Sequence, residues 1–268
     1  MNEYMKANLD LWNEMTEITS RSAAYDIPGF KAGRSTLKAV EIEELGNIAG
    51  KSLLHLQCHF GMDTMSFARL GAIVTGVDFS AKAIALAQSL SAELDIPARF
   101  ICCNVYDLPA KLNEQFDIVH SSYGFLCWLP DIAAWAKLVA SYLKPGGILH
   151  IVESHPFLHV FEDERSTPDL RVRYSYFPRS EPTKWEPDGC YADKDARVTH
   201  PSYEWTHSLG EIINALIDAG LRIEYLHEFP FLCWDDFPFM QKGPDELWRL
   251  PGDGDTLPLT FSLKASKR

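Results

Sequence analysis

Hydrophobic and polar positions switch period twice between residues 51 and 80. Residues 52–56 (SLLHL) form a short apolar run of strand length, and 57–61 (QCHFG) make a turn closed by Gly61. Apolar positions at helical spacing follow over 62–70, and a second apolar run, 73–77 (IVTGV), ends at Asp78. This order predicts a strand–turn–helix–strand unit. Further strands are predicted over 98–102, 116–121 and 147–153. Helices are predicted over 80–94 and 131–143, the second capped by Asp131. Upstream, a helix over 3–15 and a helical period over 36–45, closed by Gly46, precede the first strand. Strand and helix alternate steadily, which predicts an α/β fold with a mostly parallel sheet and helices on both faces.

The pattern breaks after residue 154. Residues 155–205 are rich in Pro, Tyr, Trp and charged residues and show no long helical period. Residues 170–177 (LRVRYSYF) alternate as a strand would, and 199–205 do so more weakly. A β-rich insertion packed over one end of the sheet is expected. Ser208 and Glu211 form a capping box that opens a helix to Ala219, and Gly220 ends it. A strand over 222–227, a long aromatic loop and a last strand over 259–265 complete the pattern. The loop holds Phe229, Phe231, Trp234, Phe237, Phe239 and Trp248, too apolar for disorder.

Composition narrows the chemistry. With 268 residues, 46% of them hydrophobic, the chain can bury a substantial core. Its formal net charge of −12 disfavours a nucleic-acid partner, which needs a basic face. No apolar run reaches membrane-spanning length, and the polar, mixed-charge start does not read as a signal peptide. The six cysteines form no CxxC pair and no disulfide ladder, so a reduced, cytoplasmic setting is expected. Cys58 and His59 are adjacent, but no second pair completes tetrahedral spacing, so no metal is expected. Asp78, at the tip of the second strand, is placed to accept both hydroxyls of a ribose, which points to an adenosine-containing cofactor.

Four stretches in order, LLHLQCHFG, VTGVDFS, FDIVHSSYGFLCWLPD and LKPGGILHIVE, together resemble the landmarks of the class I S-adenosylmethionine-dependent methyltransferases. The resemblance covers residues 51–153 by motif and 208–265 by order of elements. It implies a Rossmann-like, doubly wound seven-stranded sheet whose final strand runs antiparallel beside the fifth. It further implies S-adenosylmethionine as cofactor and in-line methyl transfer to a small-molecule acceptor. The implied organisation is an N-terminal helical cap (1–50), a cofactor-binding domain (51–154 and 206–268) and an inserted substrate cap (155–205) over the active site. Oligomeric state stays open. Two other readings remain: a non-catalytic S-adenosylmethionine-binding module, and a nicotinamide-dependent oxidoreductase. The absence of G-x-G-x-x-G speaks against the second.

One departure stands out. The family's first turn follows acid-x-Gly-x-Gly-x-Gly, and the corresponding positions here are His55, Gln57, His59 and Gly61. Gln57 and His59 must fit ordinary backbone conformations or carry strain. Carried over by position, Gln57, Cys58, His59 and Gly61 line the methionine end of the cofactor, although Cys58 also suits plain core packing. Asp78, beside the helix cap Ser80, takes the ribose. Phe79 meets the adenine, Asn104 accepts its amino group, and Val105 offers a backbone N–H. Ser121, Ser122 and Tyr123 end the fourth strand, where the methyl group projects. Tyr25, Phe30 and Tyr123 are candidates to face the cationic sulfur. Candidate bases near the strand ends are Glu153, His155, Glu204 and His207, with Tyr123 beside the reacting atoms. His55, in mid-strand, is expected to be a satisfied buried histidine.

Overall fold

The computed structural model describes residues 2–162, 167–252 and 256–268. Three helices precede the sheet: α1 (Glu3–Thr19), α2 (Ile27–Lys31) and α3 (Ala39–Leu45). The alternating region runs β1 (Ser52–Leu56), α4 (Met62–Arg69), β2 (Ile73–Asp78), α5 (Ala81–Glu93), β3 (Ala98–Cys102), β4 (Phe116–Ser122), α6 (Ile132–Tyr142) and β5 (Leu143–Ser154). Then come β6 (Thr183–Trp185), β7 (Ser202–Glu204), α7 (Leu209–Asp218), β8 (Leu221–Phe229), β9 (Gln241–Lys242), β10 (Trp248–Arg249) and β11 (Thr260–Lys267).

Seven strands form one sheet in the order β3-β2-β1-β4-β5-β11-β8. The first five are parallel, and β11 runs antiparallel to both of its neighbours, β5 and β8. The antiparallel insertion is the one the resemblance implied. β1 is buried on both faces, as its unbroken apolar run requires. Leu53 packs with Leu45 of α3 and Phe67 of α4, whereas Leu54 and Leu56 join Trp135 of α6 and Leu216 of α7. Ser80, Asp131 and Ser208 cap α5, α6 and α7 with side-chain oxygens on backbone N–H groups.

One expectation about elements needs correction, and one element was not foreseen. Residues 170–177 do not form a strand; only an isolated bridge between Phe161 and Val172 survives. Val172 and Phe177 are exposed, while Tyr174 packs against Trp185 and Tyr176 against Phe157. The alternation there reflects one-sided packing of an extended segment without a partner strand. The short helix α2 was not anticipated; Asp26 caps it and a proline opens it.

Three non-sheet regions lie over the carboxyl ends of the strands. Leu11 and Met15 of α1 pack with Cys190. Phe157, Leu158, Val160 and Phe161 share a second small core with Leu232, Phe237 and Met240. The Trp205 amide donates to the Cys127 carbonyl after β4, and the His155 amide after β5 donates to Leu259. Of the expected insertion 155–205, positions 163–166 lie outside the described residues.

Candidate functional site

The turn after β1 is where glycine would be expected, and the chain bends there without it. Gln57 and His59 adopt φ of +55° and +51°, in the left-handed region. Such a conformation costs a non-glycine residue about 1–2 kcal/mol. The strain is held by bonds: Cys58 N–H donates to Val77, and the His59 amide donates to the Asp78 carboxylate at 2.9 Å. The Gln57 side-chain amide donates to the Phe125 carbonyl at 3.1 Å, after β4. Gly61 closes the turn at φ +73°, and a Cβ there would lie 2.4 Å from the Phe100 ring. Only glycine fits, and it opens α4 without a side-chain cap.

Asp78 sits at the tip of β2 with its second oxygen accepting the Ser80 amide at 2.8 Å. Burial pushes its carboxyl up to about 6 against the pull of those amides. Ser80 itself donates to Asn13 of α1 and caps α5. His59 lies beneath a box of aromatic edges. Trp12 and Tyr25 meet its ring at 5.3 and 5.5 Å, and the Tyr25 hydroxyl bonds that of Tyr191. Burial holds the His59 imidazole down near 3, so it is neutral.

A second group gathers at the end of β4. Tyr123, also left-handed at φ +50°, points its hydroxyl to Glu41 of α3 at 3.2 Å, and its ring meets Trp234 edge-on at 5.8 Å. Ser121 is fully buried, and its hydroxyl has no hydrogen-bond partner among the described residues; the Gln57 side-chain oxygen is likewise unpartnered. Two such buried acceptors at the ends of adjacent strands are positions a polar ligand would satisfy.

The remaining sequence-predicted residues have other surroundings. Phe30 is fully buried among Met65, Ile84 and Ala87, under the Arg69 guanidinium. Cys58 belongs to the same apolar cluster, and Val105 lies in the core with α6. Asn104 accepts the Tyr106 amide and so caps the turn at 105–110. The Phe79 carbonyl accepts from the Cys102 thiol. Ser122, buried, precedes Tyr123. Glu153 accepts four backbone N–H bonds, from Gly124, Phe125, Leu126 and Ser154, at 2.6–3.3 Å. His155 faces Glu228 at 3.0 Å. His207 ties the Leu129 carbonyl to Glu211 of α7, and Glu204 accepts from Ser202. Sequence reasoning missed Trp12, Tyr191 and Glu41, which reach the site from distant segments with no local motif.

Among the described residues no group of three or more His, Cys, Asp or Glu is placed to hold a metal ion. None of the described helices is long and apolar enough to cross a membrane. All six cysteines are free.

Comparison with known proteins bears on the fold that carries this site. Residues 53–147 match a family model described as a methyltransferase domain. The chain is 35% identical over 106 residues to a ubiquinone biosynthesis O-methyltransferase of Chromobacterium violaceum, across 40% of this chain and 45% of that protein. It is 36% identical over 107 residues to the protein of the same name from Albidiferax ferrireducens, across 40% and 42%. The chain thus spans less than half the length of these two relatives. An S-adenosylmethionine-dependent methyltransferase structure from Mesorhizobium loti superposes with a TM-score of 0.59 at 22% identity, over 88% of this chain and all of that one. A second, described as a putative enzyme of that kind from Listeria monocytogenes, gives 0.60 at 17%, over 85% and 97%. At those identities the likeness is one of fold.

Proposed function

We propose that the chain is an enzyme of the class I S-adenosylmethionine-dependent methyltransferases and that it transfers a methyl group to a hydroxyl oxygen of a small-molecule acceptor. The observation that carries this reading is the fixed Asp78 carboxylate, held between the His59 and Ser80 amides at the tip of β2. Ribose hydroxyls are the natural donors for its remaining lone pairs. The unpartnered Gln57 oxygen and the uncapped start of α4 suit the amino and carboxylate ends of a methionine moiety. Bound there, S-adenosylmethionine supplies a methyl group already activated on a cationic sulfur.

The protein's own part is to align the acceptor and exclude water. Trp234 and Tyr123 supply aromatic surface at the end of β4, and the Tyr123 hydroxyl, bonded to Glu41, offers a hydrogen-bonded route for a proton there. An oxygen acceptor is favoured because its proton needs a destination, and because the curated relatives are named O-methyltransferases. The antiparallel β11 departs from the all-parallel dinucleotide-binding sheet, which speaks against a nicotinamide enzyme.

Calorimetry with S-adenosylmethionine and its demethylated product, followed by a labelled-methyl screen of phenols, enols, amines and thiols, tests the proposal. Micromolar binding (~7–8 kcal/mol) and label on oxygen are expected. Binding without transfer to any class would make the chain a ligand-binding module.

A further inference from the structure

Behind Tyr123, a file of titratable groups crosses the sheet. His55, His120 and His150 occupy one register row on β1, β4 and β5. All three are buried. α3 covers the row with Glu41 at one end and Glu44 at the other. The Glu41 oxygen not used by Tyr123 faces His120 Nε2 at 3.3 Å. The contact falls short of hydrogen-bond geometry, and neither atom has a hydrogen-bond partner among the described residues. His120 Nδ1 meets His150 Nδ1 at 3.2 Å, and His150 Nε2 meets Glu44 at 3.0 Å. Glu44 in turn bonds His227 of β8 at 2.8 Å, and the His227 side chain is 51% exposed.

Donor and acceptor roles along this file follow from counting protons. Burial alone would raise the Glu44 carboxyl, but bonds from His150, His227 and Ser262 outweigh it and bring it to about 2. An ionised Glu44 makes His150 Nε2–H a donor. In the tautomer that leaves His150 Nδ1 bare, that atom accepts from His120 Nδ1–H. Burial, with His150 beside it, keeps His120 neutral, so its Nε2 is bare. Only a protonated Glu41 can complement that atom, and burial raises the Glu41 carboxyl, against the Lys38 amide and Tyr123 hydroxyl. With these tautomers every donor points the same way, from Tyr123 towards Glu44. Other titratable groups acting on the file are His55 beside His120, Asp63 of α4, Lys38, Cys233 next to Tyr123, and Tyr225, whose hydroxyl donates to Glu44 at 3.2 Å.

We propose that the file Tyr123–Glu41–His120–His150–Glu44–His227 is a proton path that carries the acceptor's hydroxyl proton from the strand-end site along the α3 face of the sheet to solvent. The inference rests on the proposed methyl transfer to oxygen. As the carbon–oxygen bond forms, the carbon–sulfur bond breaks and its electron pair remains on sulfur. The acceptor proton passes to the Tyr123 oxygen, and the tyrosine proton passes to Glu41. Glu41 protonates His120 Nε2, His120 Nδ1 protonates His150, and His150 Nε2 protonates Glu44. From Glu44 the proton leaves through His227 to water. One proton enters and one leaves, so no charge is left in the interior. Rotation of the carboxyl, hydroxyl and imidazole groups restores the starting orientation.

The experiment combines spectroscopy, which needs no turnover, with kinetics. Nitrogen-15 NMR of the wild type at neutral pH should place the proton on Nδ1 in His120 and on Nε2 in His150. Infrared spectra should show a protonated buried carboxyl that disappears in Glu41→Gln. Opposite tautomers, or an ionised Glu41, overturn the path whatever the activity. His227→Gln, at the exposed end, should keep product affinity while turnover falls ~10-fold in dilute buffer and recovers with added imidazole. An unchanged turnover, or a loss that imidazole does not repair, also overturns the path. A wild type with the expected spectra that methylates no hydroxyl refutes the proposed reaction, and that outcome is distinct from a failure of the path.

Discussion

The amide of His59 donates to the carboxylate of Asp78 across 2.9 Å, and this bond joins a strained turn to the acid at the strand tip. The left-handed backbone at His59 is what aims its N–H at β2. Removing the carboxylate should thus free the turn as well as lose the ribose acceptor. We expect Asp78→Ala to weaken binding of the demethylated product by ~1.5–3 kcal/mol in calorimetry, with the far-ultraviolet spectrum unchanged. Undiminished affinity would place the ribose elsewhere.

Binding should also depend on pH through this residue. Burial raises the folded-state pKa of Asp78 from 3.8 to about 6. Between those values the folded protein holds a proton that the unfolded chain has lost. Stability from this group therefore falls as pH rises through that window, and the cost persists above it. Ligand hydroxyls want the ionised form. Affinity is predicted to climb by up to ~10-fold per unit towards pH 6 and then to level off. A flat profile between pH 5 and 7 would show that Asp78 is ionised throughout.

Glu153 offers a contrast between a base and a brace. Burial raises its carboxyl, and the surrounding backbone N–H groups pull it back. Glu153→Gln replaces an acceptor oxygen with a donor amide facing backbone donors. We predict a loss of ~2–4 kcal/mol in chemical denaturation, with the pH profile of any remaining activity unmoved. A stable variant whose activity collapses and whose profile loses a limb would make Glu153 the base.

Closure over the site is measurable by hydrogen exchange. α1, the segment around Tyr191 and the loop carrying Trp234 meet above His59 and Tyr123. Product binding should slow exchange in all three and leave α6, on the flank of the sheet, unaltered. Equal protection everywhere would signify global stabilisation in place of a lid.

The parts of the fold visible in the sequence are those whose signal is local. β1, α4 and β2 announce themselves through a change of period and a glycine that must be glycine. Asp78 is legible because it ends a strand. The histidine row is not, because His120 and His150 each look like a lone residue in an apolar strand, and only register unites them. Glu41 reads as one acid among several on a short amphipathic helix. The segment at 170–177 misleads for the opposite reason, since its local alternation has no partner strand to answer it. Phe30, expected beside the sulfur, has an apolar environment between α4 and α5 that no short window reveals.

The position of β11 has a consequence for how the molecule is made. It follows every other strand in chain order, yet it lies inside the sheet, zipped between β5 and β8. A ribosome releasing this chain would extrude β5 and β8 as two unsatisfied edges before the piece that joins them appears. Glu44 would also lack the Ser262 hydroxyl until then. Shortening the chain by the length of β11 would remove the keystone of the sheet, and nascent or trimmed copies should seek their missing hydrogen bonds in one another.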